Sequence, residues 1–137
     1  MNRKSWHKPG YAPIPVEIEH VGKQVLDAAF QVHKSLGPGF VEKLYEEAFC
    51  IELNARGIGF VRQKPVQVFY RERLIGTHQL DLLVEDAVIV EIKAVEKLLP
   101  VHEAQLISYL TATGLRLGYL LNFNSHLLKD GIRRIAR

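Results

Sequence analysis

The run Leu80-Asp81-Leu82-Leu83-Val84-Glu85-Asp86-Ala87-Val88-Ile89-Val90-Glu91-Ile92-Lys93 limits the fold more tightly than any other stretch. Two short aliphatic segments flank an acidic break at Glu85-Asp86, which reads as a β-hairpin. Strands with aliphatic neighbours on both sides are buried on both faces. An ionised group there is costly unless it is paired or bound to a cation. Asp81, Glu91 and Lys93 stand inside these two strands. Three such groups in adjacent buried strands mark a candidate site.

Side chains alternate along a strand, so Glu91 and Lys93 share one face while Val90 and Ile92 share the other. The face of Asp81 depends on hairpin register. A two-residue turn at Glu85-Asp86 pairs Val84 with Ala87 and Asp81 with Val90, which leaves Asp81 on the wrong face. A three-residue turn over Glu85, Asp86 and Ala87 pairs Val84 with Val88 and sets Asp81 opposite Glu91. Both loop lengths are common, and a one-residue slip flips every side chain. In the second register two carboxylates stand about 5 Å apart between Cβ atoms, a repulsive pair unless something compensates it. A divalent cation does so, Lys93 adds a further positive charge, and hard oxygen ligands suit Mg²⁺ or Mn²⁺.

Two further patterns accompany this hairpin. Gly39-Phe40-Val41-Glu42-Lys43-Leu44-Tyr45 fits G-x-x-E-x-x-Y, and Gln105 and Tyr109 stand four apart on a later helical stretch. Asp81 followed by Glu91-Ile92-Lys93 on the next strand resembles the PD-(D/E)XK nuclease arrangement. With the other two patterns the chain resembles the GxxExxY family of that superfamily, from about Ile18 to about Ile132. The resemblance implies a restriction-endonuclease-like αβββαβ core with an extra N-terminal helix. It also implies that Asp81, Glu91 and the main-chain carbonyl of Ile92 hold the metal. Lys93 would orient the attacking water or stabilise developing charge, and Glu42 would act as an outer ligand or water-orienting group. Gln105 and Tyr109 would hold a phosphate or orient Lys93. The activity implied is metal-dependent hydrolysis of phosphodiester bonds in nucleic acid, DNA first, with a homodimer as a possible assembly. The alternative is a nuclease-fold binding or assembly module that keeps the site without turnover.

The chain of 137 residues suits one α/β domain, a mixed central sheet flanked by helices, over residues 16–137. Its single Cys50 excludes an internal disulfide and a multi-cysteine zinc site, so the reducing cytoplasm is the expected compartment. Cys50 itself reads as a core residue rather than a nucleophile. No apolar run approaches the roughly 20 residues that span a bilayer, and no signal-peptide core follows the basic start. Net charge is +3, unevenly spread. Residues 1–12 carry Arg3, Lys4 and Lys8 without an acid, and residues 129–137 carry Lys129, Arg133, Arg134 and Arg137 against Asp130. Each end is thus +3 and the centre −3. Basic ends around an acidic centre suit a polyanion held beside a metal site, although terminal Lys and Arg also serve solubility alone.

Residues 1–15 read as a flexible basic arm, rich in proline, with Trp6 and Tyr11 placed to stack on bases or to anchor the arm on its own domain. Val16 to Leu36 reads as a helix with Ile18, Val21, Val25, Ala28, Ala29, Val32 and Leu36 on its apolar face, ended by Gly37-Pro38-Gly39. His33, at the edge of that face, reads as a hydrogen-bonded structural residue. Phe40 to Arg56 reads as a second helix whose core stripe is Val41, Leu44, Ala48, Ile51 and Ala55, with Glu42 and Glu46 projecting together from its border. The role of Glu46 stays open. Pro65 places the first strand at a sheet edge or delays its start, because proline cannot donate a ladder hydrogen bond. Helix from Val101 to Thr113, with Gln105 and Tyr109 as buried polar groups, and strand from Leu115 to Leu121 follow. The basic end is a short helix or a strand.

Overall fold

The computed structural model describes residues 12–137; the first eleven positions, with Trp6, Tyr11 and the basic residues Arg3, Lys4 and Lys8, lie outside the described residues. Helices α1 (Val16–Leu36) and α2 (Glu42–Ala55) come first, then strands β1 (Phe60–Tyr70), β2 (Arg73–Val84) and β3 (Val88–Lys93). Helix α3 (Pro100–Thr113), strand β4 (Leu117–Asn122), a 3₁₀ turn (Leu128–Gly131) and strand β5 (Ile132–Ala136) complete the order. The chain's basic end therefore contains both a turn and a strand. The sheet runs β1-β2-β3-β4-β5, with β3 and β4 parallel and the other neighbours antiparallel. Helix α3 supplies the crossover that a parallel pair requires.

Two cores lie on opposite faces of this sheet. Val25, Ala29 and Val32 of α1 and Tyr45, Phe49 and Leu53 of α2 pack with Leu82, Val84, Val88, Val90 and Ile92. Leu106 and Leu110 of α3 pack with Val66, Leu80, Leu83, Ile89 and Leu120. Both faces of β3 are thus covered, as its unbroken aliphatic sequence requires. Helix α1 sits close to β4: a Cβ at Gly22 would meet the Tyr119 hydroxyl at 3.0 Å. No helix among the described residues is long and apolar enough to cross a membrane.

The expected helical face of α1 is buried at Val25, Ala28, Ala29 and Val32, partly buried at Ile18 and Val21, and exposed at its end, Leu36. The expected stripe of α2 is not its core. Val41 is 66% exposed, Leu44 49% and Ile51 68%, while Tyr45, Glu46, Phe49, Cys50 and Leu53 are buried. Aromatic packing decides the helix's rotation: the Tyr45 ring stacks on Phe123 at 5.0 Å and Phe49 packs at 6.5 Å from the same ring. The choice lies between an aliphatic stripe and one that buries two aromatic rings. The aromatic stripe removes more surface from water. Glu42 and Glu46, one turn apart, still share a border of the helix, and the charge of Glu46 acts on Glu42, but their surroundings differ. Glu42 remains at the exposed start of the helix, and Glu46 is buried and paired with Arg62 at 2.7 Å. Cys50 is a core residue, and burial pushes its thiol up to about 11.

Strand β1 runs through Pro65 without a break and is the sheet's edge, where the missing N–H is tolerated. Strand β4 begins at Leu117 rather than Leu115. The C-terminal strand β5 pairs with β4 at the opposite edge, and Arg134 bonds to Glu19 of α1 at 2.6 Å. Part of that basic end therefore serves the fold rather than a free cationic patch.

Candidate active site

The β2–β3 turn takes the three-residue form. Val84 pairs with Val88, Leu83 with Ile89 and Leu82 with Val90, so Asp81 and Glu91 fall opposite one another. Glu85 and Asp86 adopt left-handed backbone (φ 51° and 54°), and the Ala87 N–H donates to the Val84 carbonyl at 3.0 Å. The turn is fastened from outside: the Gly59 N–H donates to Glu85 Oε1 at 2.6 Å, and the Glu85 N–H donates to the Gly59 carbonyl at 2.9 Å.

At Asp81 and Glu91 the ordinary ladder gives way to a reciprocal exchange. The Asp81 N–H donates to Glu91 Oε2 at 2.8 Å, and the Ile92 N–H donates to Asp81 Oδ2 at 2.8 Å. Each carboxylate thus grips the backbone of the opposite strand, which fixes both headgroups side by side. Glu91 is 5% exposed, and burial together with the Asp81 charge pushes its carboxyl up to about 8. Burial also raises Asp81, opposed in part by the Ile92 N–H. Lys93 is part-buried on the same face as Glu91, and its ammonium makes no ion pair or hydrogen bond among the described residues. Its positive charge nevertheless acts on Asp81, Glu91 and Glu42, lowering all three.

Glu42 approaches from the first turn of α2. Partial burial raises its carboxyl, with Asp81 the next contributor, so it senses the strand site from another element. Its placement follows from the loop before it. Gly37 and Gly39 take positive φ (66° and 109°), which a side chain would strain. The Tyr45 hydroxyl donates to the Gly37 carbonyl at 2.6 Å and accepts the Phe40 N–H at 3.1 Å. The Gly39 N–H donates to Asn124 Oδ1 at 3.2 Å. In G-x-x-E-x-x-Y the tyrosine therefore closes the loop that starts the helix carrying the glutamate.

Tyr109 on α3 is part-buried, and its hydroxyl is raised by burial and then by the charges of Glu91 and Asp81. Its ring stacks on His78 of β2 at 4.2 Å with planes 17° apart. Gln105, expected to be buried, is exposed and makes no hydrogen bond to the site among the described residues. It stands one turn before Tyr109, where the helix surface turns toward solvent. His33 is structural in its contacts, its Nε2 lying 2.8 Å from the Ser125 carbonyl oxygen.

Two residues at the site carry no motif. Gln63 of β1 has φ 51°, its side-chain amide favours the charged form of Asp81, and it donates to Glu46 Oε1 at 3.5 Å. Nothing local marks a non-glycine residue for the left-handed region inside a strand; Pro65 nearby is the single hint of irregularity. Asn122 ends β4 with a two-way clamp on the following connection: Val95 N–H to Oδ1 at 3.0 Å and Nδ2 to the Val95 carbonyl at 2.9 Å. The Phe123 N–H bonds the Lys93 carbonyl at 2.9 Å, which ties the end of β3 in place.

The described residues contain no cluster of three or more His, Cys, Asp or Glu side chains grouped to hold an ion. The side-chain donors offered are two carboxylates fixed side by side. That set fits Mg²⁺, which is commonly bound through one or two carboxylates with water and substrate phosphate filling the other positions. A comparison with curated proteins and one with solved structures each find no match. The family model described as the PD-(D/E)XK nuclease superfamily matches residues 19–135. Members of that superfamily are nucleases that generally use divalent metal ions. With nearly the whole described chain matched, this chain belongs to the PD-(D/E)XK nuclease superfamily.

Proposed function

We propose that this chain is a GxxExxY-type, divalent-metal-dependent nuclease that hydrolyses phosphodiester bonds, with DNA as substrate, in the cytoplasm. The observation that carries the proposal is the reciprocal bonding of Asp81 and Glu91 to each other's strands, with the unpaired ammonium of Lys93 on the same face. A fold needs no such arrangement. Two carboxylates held together oppose one another, and a structural lysine in a part-buried position is ordinarily paired.

Asp81 and Glu91 would hold Mg²⁺ or Mn²⁺, with the Ile92 carbonyl as a third ligand. When bound, such an ion lowers the pKa of water and polarises the phosphate. Lys93 has no internal partner to leave, so it is free to orient the attacking water or to meet charge developing on the phosphoryl oxygens. Glu42 faces the pair from α2 and is placed to orient water on the open side. Tyr109, near both carboxylates, positions the phosphate through its hydroxyl, and Gln105 extends that contact along the exposed face of α3.

Incubating the protein with DNA and RNA oligonucleotides, with and without Mn²⁺, tests this directly. Wild type cleaves DNA only with metal, and Lys93→Ala loses about 10²-fold or more while still binding metal. The absence of a third acidic ligand among the described residues supports a second reading, a nuclease-fold binding module without turnover. Wild type that binds DNA and never cuts it, with no rise in Tm on adding Mn²⁺, would establish that reading instead.

A further inference from the structure

Strand β2 has 12 residues, yet β3 pairs with it only at Leu82, Leu83 and Val84. From Gln79 back to Arg73 it pairs with β1 alone. The β1–β2 hairpin therefore overhangs the sheet as a two-stranded arm. Its root is held by Val66 in the α3 core and by the His78–Tyr109 stack, so it leaves the body of the protein beside the active site. Toward the tip the protein stops covering it. Phe69 is 57% exposed, Tyr70 66%, Leu74 53% and Ile75 65%. The tip pairs Tyr70 with Arg73 across a two-residue turn, Arg71-Glu72, in which both residues are left-handed (φ 49° and 66°). Such turns ordinarily use Asn-Gly, and each left-handed residue with a side chain costs about 1 kcal/mol. An arginine is kept here at a conformational cost.

Charge identifies what the arm meets. From Lys64 to Leu80 it carries Lys64, Arg71 and Arg73 against Glu72, a net +2. No ion pair among the described residues uses those three cations. The site it leaves from carries Glu42, Glu46, Asp81 and Glu91 against Lys93 and the Arg62 that pairs with Glu46, a formal net −2. A polyanion is repelled by that centre and must be held by cations outside it. Unpaired arginines interleaved with exposed aromatic rings form the surface that grips a nucleic-acid strand, the cations on phosphates and the rings on base faces.

We infer that the β1–β2 hairpin is a nucleic-acid-holding arm whose Arg71 and Arg73 neutralise phosphates while Phe69 and Tyr70 stack on unpaired bases, feeding a single strand or splayed end to the site. The inference rests on the nuclease reading for its substrate class. It requires exposed base faces, so it favours single-stranded over blunt duplex substrate.

The test uses fluorescence anisotropy in EDTA, so that nothing is cut, with a labelled single strand and the matching blunt duplex across a salt series. The proteins are wild type, Arg71→Asn/Arg73→Gln and Phe69→Ser/Tyr70→Ser. Hydrolysis of bis(4-nitrophenyl) phosphate with Mn²⁺, a diester too small to reach the arm, is measured alongside. Both doubles are expected to lose tenfold or more in single-strand affinity and to keep the small-diester rate. The arginine double should also lower the salt slope by roughly 1.4, about 0.7 for each phosphate contact on a single strand. Asparagine tolerates the left-handed turn better than arginine, so Arg71→Asn/Arg73→Gln should melt no lower than wild type, which separates lost binding from lost folding. Arm variants that bind like wild type, or a wild type that prefers blunt duplex, overturn the inference. So does a wild-type dimer that the aromatic double converts to monomer in sedimentation, because the tip then serves a second copy. Arm-dependent binding by a wild type that never hydrolyses the diester sinks the nuclease reading and leaves the arm standing.

Discussion

Glu91→Gln separates a carboxylate kept for chemistry from one kept for the fold. Glutamine has nearly the same shape, and its Oε1 can accept the Asp81 N–H that Glu91 Oε2 accepts at 2.8 Å. What it removes is the charge. The folded protein raises Glu91 from the ordinary 4.5 to about 8, through burial and the neighbouring Asp81. The native state therefore holds this proton more tightly than the unfolded chain does. Its contribution to stability is full below about pH 4.5 and is lost progressively as pH rises to about 8. At 1.36 kcal/mol per pKa unit the loss amounts to as much as about 5 kcal/mol. The substituted glutamine has no proton to lose. In EDTA the variant should match wild type near pH 4 and exceed it by about 2–5 kcal/mol at pH 9. For a chain of this size that is a Tm difference of roughly 10 °C. Mn²⁺ should reverse the order at pH 8 to 9, since metal stabilises only the protein with both carboxylates. The assay is a thermal melt at several pH values, with EDTA and with Mn²⁺. A Glu91→Gln protein that melts well below wild type at pH 9 in EDTA would refute the reasoning, because Glu91 would then be an ionised partner the fold depends on.

Two further outcomes follow from the same geometry. Metal binding must displace the proton from Glu91, so the affinity for Mn²⁺ should climb with pH and level off above about 8, with proton release measurable by titration calorimetry in buffers of different ionisation enthalpy. Tyr45→Phe keeps the ring on Phe123 but orphans the Phe40 N–H and the Gly37 carbonyl; it should cost about 1–3 kcal/mol in denaturant melts and lower cleavage by misplacing Glu42, with metal affinity unchanged.

What is legible in the sequence is what local pattern controls. The helical face of α1, the two-sided burial of β3 and the edge position of the strand bearing Pro65 all follow from periodicity or from proline chemistry. Asp81, Glu91 and Lys93 stand out because charge inside an aliphatic strand has few structural excuses. The hairpin register does not follow from pattern, because either register pairs aliphatic residues with aliphatic residues. Bonds between each carboxylate and the opposite backbone distinguish the two, and they exist in one register alone. The rotation of α2 differs from the expected one for a related reason. Its aliphatic and aromatic stripes have the same period, and the partner that chooses between them, Phe123, lies on the far side of the sequence. Gln105 shows the limit of a motif: Gln105-x-x-x-Tyr109 fixes that the two lie one helical turn apart, while its exposure depends on which side α3 turns to the sheet, where Leu106 and Leu110 are buried. Gln63 and Asn122 act chiefly through hydrogen bonds to residues distant in sequence, which no local pattern announces.

One irregularity links the site to the arm. Leu80 and Leu82 are two residues apart and in a regular strand would share a face, yet Leu80 belongs to the α3 core and Leu82 to the α1–α2 core. On the neighbouring strand Phe60 packs toward the α1–α2 core and Val66 lies in the α3 core, although their spacing is even. Both strands thus switch faces between these positions, and the residues at the switch are Asp81 and the left-handed Gln63. A regular hairpin would be more stable by the ladder bonds forgone and by the roughly 1–2 kcal/mol that the left-handed residue costs. The switch does two things a regular hairpin cannot. It takes Asp81 out of the sealed interior to a half-buried position opposite Glu91, as the proposed metal site requires. It also turns the rest of the hairpin toward α3, where His78 meets Tyr109, and the basic, aromatic tip continues beyond the sheet. Strain placed beside these two carboxylates is better accounted for by chemistry than by folding.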